Sequence, residues 1–151
     1  MQMDWETNPP ELVWTGEGLG AGYASVAVVG GRILTSGNLP DSQAVIALDA
    51  ASGEVLWTTP ITDAVPRHRN EGSRSTPTVD GDRLYVVSSD GRIVCLQTET
   101  GKEVWHRDFD DWDGRMMSGW GYAESPLVDG DRVICTPGGA EAMMVALDRR
   151  T

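Results

Sequence analysis

A pattern recurs along this chain with a period near fifty residues, and it limits the available folds more than any other feature. Residues 25–34 (SVAVVGGRIL), 76–85 (TPTVDGDRLY) and 125–134 (SPLVDGDRVI) align, with Arg32 and Arg83 separated by 51 residues and Arg83 and Arg132 by 49. A second block follows each first block: residues 47–57 (ALDAASGEVLW), then 95–105 (CLQTETGKEVW), then the opening of a third copy at 146–151 (ALDRRT). Residues 10–14 (PELVW) resemble the tail of the same block, which places Trp14, Trp57 and Trp105 at spacings of 43 and 48.

Within one unit the apolar residues come in short runs divided by turn residues. Gly30-Gly31, and Asp-Gly at 80–81 and 129–130, supply the positive-φ positions of two-residue hairpins. Asp90-Gly91 marks a second hairpin, and Thr100-Gly101 turns the chain into a fourth strand ending at Trp105 and His106. Four antiparallel strands with short turns make one propeller blade. Gly and Pro interrupt every candidate helical window. The fold expected is therefore all-β, a partial β-propeller of four-stranded antiparallel blades. Residues 8–24 read as the tail of a preceding blade with its connection, 25–61 and 75–109 as blades, and 124–151 as an incomplete blade. In the second block, the Asp49 carboxylate is suited to accept backbone N–H bonds from the turn that follows. Gly53 permits the left-handed backbone of that turn. Trp57, at the end of the outer strand, has the area to wedge against the neighbouring blade.

These blocks resemble the tryptophan-docking repeat of the PQQ-like (quinoprotein dehydrogenase-like) propellers, Ala-x-Asp-x-x-Thr-Gly-x-x-x-Trp. Asp49, Gly53 and Trp57 match it position by position, Gly101 and Trp105 match in the second copy, and Asp148 opens the third; Gln97 departs at the Asp position. Residues 120–131 (WGYAESPLVDGD) are also similar to bacterial PQQ-binding-like repeats. The resemblance covers residues 10–151. It implies a superfamily that includes quinoprotein alcohol dehydrogenases and the lipoprotein scaffold of the outer-membrane barrel assembly machine. Its members usually close as rings of about eight blades, so the chain is expected to be a fragment, or a subunit that finds its other blades elsewhere. Nothing here completes such a ring alone. The resemblance also implies an extracytoplasmic, periplasmic parent, although the N-terminal residues 1–6 have no signal-peptide pattern.

Composition narrows the partners. The formal charge is −11, from 23 acidic and 12 basic residues, which disfavours nucleic acid and anionic membrane surfaces. No apolar run approaches the length of a membrane span. Cys95 and Cys135 each sit in an apolar run and read as buried, inert thiols. In quinoprotein dehydrogenases the resemblance implies a cofactor resting on a disulfide of adjacent cysteines above calcium. This chain has no adjacent cysteines, and Asp108, Asp110, Asp111 and Asp113 lack a calcium-loop pattern. No cofactor or metal is assigned to the chain itself; PQQ and calcium enter only if other blades supply the site. His68 and His106 stand in no nucleophile motif, and no catalytic residue is named.

The long connections are the functional candidates. Residues 62–74 are basic (Arg67, His68, Arg69, Arg74), whereas residues 110–122 are aromatic and soft (Trp112, Met116, Met117, Trp120, Tyr122). Arg74, Trp120, Tyr122 and Glu124 are the expected ligand-facing residues, with an internal salt bridge the alternative role for Arg74 and Glu124. The first function expected is a non-catalytic binding or scaffolding module. Its partners are other blades or further copies, with a protein, glycan or small ligand on the loop face. The second is a piece of a PQQ-dependent dehydrogenase whose active-site blades lie elsewhere.

Overall fold

The computed structural model describes residues 7–117 and 119–151. Its strands form three antiparallel sheets. The first holds β1 (Ala27–Val29), β2 (Arg32–Asn38), β3 (Gln43–Asp49) and β4 (Val55–Pro60) in sequence order. The second holds β5 (Thr78–Asp80), β6 (Arg83–Val87), β7 (Arg92–Gln97) and β8 (Glu103–Asp108), also in order. The third holds β9 (Leu127–Asp129), β10 (Arg132–Cys135) and β11 (Val145–Asp148). A 3₁₀ turn, Phe109–Trp112, follows β8 and ends at Asp113 in the left-handed region, φ 50°.

Alternation of side chains explains how the sheets stack. On β6, Leu84 and Val86 point to the first sheet and pack with Leu34, Val45 and Ala47. Tyr85 and Val87 point the other way and pack with Val133 and Cys135 of the third sheet. The middle sheet is covered on both faces, so its strands are continuous apolar runs, Leu84–Val87 and Ile93–Leu96, all buried.

The hairpins refine the sequence reading in one respect. In the first repeat Val29 pairs with Arg32, and Gly30 and Gly31 both have positive φ (52° and 74°), the type I′ pattern. In the other repeats Asp80 and Asp129 are the last paired strand residues, opposite Arg83 and Arg132. The turn residues there are Gly81-Asp82 and Gly130-Asp131, with positive φ only at the glycine. The Asp-Gly assignment was thus one residue early: a glycine at the first central position is the type II′ arrangement, which needs only one positive φ.

Two further differences concern the outer strand. Trp57 and Trp105 lie three residues into β4 and β8 instead of at their ends, opposite Ala47 and Cys95 and just past a bulge. Residues 10–14 form no strand, and among the described residues no strand lies beside them to pair with. Trp14 is nonetheless held: its Nε1 donates to Ala50 O at 3.2 Å, and a Cβ built on Gly53 would meet Trp14 Cε3 at 2.5 Å. Trp57 repeats the ring contact on Gly101, and Trp105 repeats the hydrogen bond on Arg149 O at 3.2 Å. Trp57 Nε1 is buried without a hydrogen-bond partner.

Candidate functional site

The two long connections converge near the third sheet. Arg69 N–H donates to Gly119 O at 2.9 Å, and a Cβ on Gly121 would come within 2.9 Å of the His68 ring. Tyr122 N–H then donates to Ser89 O at 2.9 Å in the β6–β7 loop. The Tyr122 ring stands edge-on to Phe109, with centroids 4.9 Å apart at 89°. It also covers Gly91, where a Cβ would lie 2.6 Å from Tyr122 Cε2. Its hydroxyl donates to Pro137 O at 3.0 Å. Burial first, then the nearby Asp110 and Glu124 carboxylates, push the Tyr122 phenol above its ordinary pKa. It therefore stays a neutral donor at physiological pH.

The β10–β11 loop closes the other side. Arg115 N–H donates to Pro137 O at 3.0 Å, and Gly139 lies against Trp112 O and Asp113 O so closely that no side chain fits. Between the loops is an open cleft of about 420 Å³ lined by Met116, Met117, Tyr122, Glu124, Met143 and Met144, among others. Met117, Met143 and Met144 are exposed. Flexible thioether side chains adapt to varied apolar shapes, so this surface suits a mobile hydrophobic ligand.

Of the four candidate residues, the structure brings two to this cleft. Tyr122 is in its wall. Glu124 lines it as well, while its carboxylate accepts from Thr136 N–H (2.8 and 2.9 Å) and Thr136 Oγ1 (2.5 Å). Trp120 is about half exposed and not in the lining. Arg74 lies elsewhere, donating to Gly72 O at 3.0 Å and Asn70 O at 2.5 Å, with its guanidinium 5.3 Å from the centre of the Tyr23 ring. Among the described residues neither Arg74 nor Glu124 makes an ion pair; backbone and hydroxyl groups partner both.

A residue that sequence reasoning passed over holds the site together. Gln43 is wholly buried. Its Nε2 donates to Asn38 Oδ1 at 2.6 Å and Ser89 Oγ at 3.0 Å, and its Oε1 accepts from Ser89 N–H at 2.8 Å. The first sheet is thereby tied to the loop that receives Tyr122. A buried amide with its groups satisfied rigidifies what it joins. The only sequence signal was a Gln opening an apolar strand, at 43–48.

Cys95 and Cys135 sit on β7 and β10, free and buried. Burial pushes the two thiols up to about 11 and about 12. Among the described residues no three His, Cys, Asp or Glu side chains are gathered to hold a metal ion. Asp108 is engaged by Arg92 Nε at 2.7 Å.

The family model described as outer membrane protein assembly factor BamB matches residues 2–108 and 41–151. The chain is 33% identical over 100 residues to quinohemoprotein alcohol dehydrogenase ADH IIB of Pseudomonas putida, covering 64% of this chain and 14% of that protein. It is 30% identical over 121 residues to outer membrane protein assembly factor BamB of Pseudomonas aeruginosa, covering 77% of this chain and 29% of that one. The solved structure of BamB from Moraxella catarrhalis superposes with a TM-score of 0.64 at 22% identity, over 92% of this chain and 37% of its own. Quinohemoprotein alcohol dehydrogenase ADHIIG of Pseudomonas putida HK5 gives 0.65 at 25% identity, over 93% and 21%. The chain thus spans well under half the length of each of these relatives. Repeat blocks, stacked antiparallel sheets and the family match agree, and the chain belongs to the PQQ-like β-propeller repeat family described as outer membrane protein assembly factor BamB.

Proposed function

We propose that the chain is a non-catalytic binding or scaffolding module of PQQ-like repeats whose loop face receives an apolar stretch of polypeptide. Its blades are residues 25–61, 75–109 and the incomplete 124–151. The observation carrying this reading is the methionine-lined cleft between the 110–122 connection and the β10–β11 loop. Its thioethers and the Tyr122 ring favour aliphatic side chains over a sugar, which needs convergent polar groups. The ring contacts at Gly53 and Gly101, the hydrogen bond of Trp105 and the backbone N–H groups accepted by the Asp49 and Asp148 carboxylates support a docking role for Asp49, Gly53, Trp57, Gly101, Trp105 and Asp148, so that the blades form a rigid platform for the loops. Further blades or further copies of the chain are part of the same proposal.

The test is a titration of the chain, carrying ¹³C-methyl methionine, with an extended peptide of alternating leucine and serine. Shifts at Met116, Met117, Met143 and Met144, and loss of binding in Met117→Glu, are expected. Shifts confined to Met1 and Met3, or unchanged affinity in Met117→Glu, overturn the reading. The alternative, a fragment of a PQQ-dependent dehydrogenase, draws support from the 33% identity to the quinohemoprotein enzyme. PQQ and calcium belong to it only if residues outside this chain supply the site. A change in the absorption spectrum of PQQ on adding the chain with calcium would favour that alternative.

A further inference from the structure

The cleft between the 110–122 connection and the β10–β11 loop is apolar in its side chains but acidic in its charge. Residues 110–124 and 136–144 carry Asp110, Asp111, Asp113, Glu124 and Glu141 against one cation, Arg115. Arg115 lines the cleft, and its guanidinium is shared with Asp113, Nη2 to Oδ2 at 3.4 Å. The basic 62–74 connection reaches this region through the Arg69 N–H and the His68 ring, and neither residue belongs to the lining.

Glu124 alone brings a carboxylate to the described lining. It precedes β9, and Thr136 follows β10. Its oxygens accept from Thr136 N–H at 2.8 and 2.9 Å and from Thr136 Oγ1 at 2.5 Å. These bonds close the open end of the β9–β10 hairpin and hold the carboxylate in place. A carboxylate has about four acceptor sites, so three contacts leave room for a further donor. Among the described residues no cation supplies it. The charge is felt across the cleft: after burial, the Asp110 and Glu124 carboxylates are what raise the Tyr122 phenol.

We propose that the polypeptide received by this cleft carries a lysine or arginine within its apolar stretch, and that Glu124 selects it. This rests on the reading of the cleft as a polypeptide site. The aliphatic stem of a basic side chain lies along Met116, Met117 and the Tyr122 ring while its charged head meets Glu124. A carboxylate already fixed by Thr136 has little freedom to lose when that head arrives. An acidic residue at the same place meets repulsion from Glu124 and Asp110. The net charge of −11 draws a basic segment toward the chain.

The test uses three N-acetylated peptides of alternating leucine and serine, one central leucine being replaced by lysine, glutamine or glutamate. Each is titrated against the full chain carrying ¹³C-methyl methionine. The lysine peptide is expected to bind about tenfold tighter than the glutamine peptide, as a charge-assisted hydrogen bond provides. The glutamate peptide is expected to bind more weakly than either. Salt raised to about 0.5 M narrows the differences. Glu124→Gln keeps an oxygen for Thr136 N–H and removes the charge; with it the lysine and glutamine peptides are expected to bind equally, circular dichroism being unchanged. Glu141→Gln, on the β10–β11 loop but outside the described lining, is expected to leave the preference intact.

Equal affinity of the wild-type chain for all three peptides, with methionine shifts present, overturns the inference and leaves the cleft reading standing. That comparison needs no variant to fold. A lysine preference that survives in Glu124→Gln, or that falls equally in Glu141→Gln, overturns the assignment to Glu124. Absence of methionine shifts with every peptide overturns both readings.

Discussion

The ring of Trp57 lies so close over Gly101 that a Cβ at residue 101 would sit 2.5 Å from Trp57 Cε3 and 2.5 Å from Thr59 Oγ1. Thr59 Oγ1 also donates to Gly101 O at 2.8 Å. The outer strand of one sheet is thereby clamped to the turn of the next.

Gly101→Ala meets two costs at that clamp: a left-handed backbone at φ 69° and a steric conflict with the indole. Together these cost about 3 kcal/mol. Gly81→Ala is the control, since Gly81 has φ 60° but no atom within 4 Å of its built Cβ; it costs about 1 kcal/mol. Urea denaturation midpoints compare the two. Equal losses would mean that the indole yields without resistance.

Gln97 is the one departure from the Asp of the repeat. Asp49 Oδ1 accepts from Ala51 and Ser52 N–H at 2.9 and 2.8 Å, and Asp148 Oδ1 accepts from Arg150 N–H at 2.8 Å. The Gln97 side-chain oxygen, Oε1, accepts instead from the Thr100 hydroxyl, at 2.7 Å. Gln97→Asp is expected to stabilise the chain by about 0.5–1 kcal/mol, measured as a raised denaturation midpoint.

The same turn gives a pH dependence. The Ser52 N–H, then the Ser52 hydroxyl and the Ala51 N–H, hold the Asp49 carboxyl below its ordinary value of 3.8. Because the folded pKa is depressed, its stabilising contribution is complete above pH 3.8. It is lost as pH falls from there through the folded value. Asp49→Asn, which keeps an acceptor oxygen without the charge, is expected to lower the midpoint at neutral pH and to flatten the acid limb. Parallel midpoints for wild type and variant from pH 7 to below 3 would contradict it.

Both thiols are expected to be inert in the folded chain. Burial raises Cys95 to about 11 and Cys135 to about 12, and the thiolate is the reactive form. An aromatic disulfide reagent at pH 8 should release no colour from the native chain and two equivalents after denaturation. Rapid native reaction at either position would show that its sheet opens.

Much of the fold was legible because a propeller is built from local rules repeated. The period near fifty, the glycine turns and the alternation on β6 and β7 are near-neighbour properties, and the strands formed where they point. The hairpin turns were offset by one residue, since Val-Asp-Gly-Asp-Arg offers both Asp-Gly and Gly-Asp as central pairs. Only cross-strand register, Asp80 opposite Arg83, chooses between them.

The site was less legible, since it depends on residues far apart in the chain. Tyr122 and Glu124 were visible as loop residues, but Tyr122 meets Phe109, Gly91 and Pro137 only after three strands and two loops have packed. Gln43 looked like a strand residue, yet its amide serves Asn38 and Ser89, the latter 46 positions on. Arg74 belonged by composition to a basic loop, and packing turned it onto its own backbone and Tyr23. By itself the sequence determined the repeat, the all-β class and the family, because turn chemistry and apolar alternation act over a few residues. Tertiary structure alone decided which loops meet and which polar groups are satisfied, because those depend on the stacking of whole sheets.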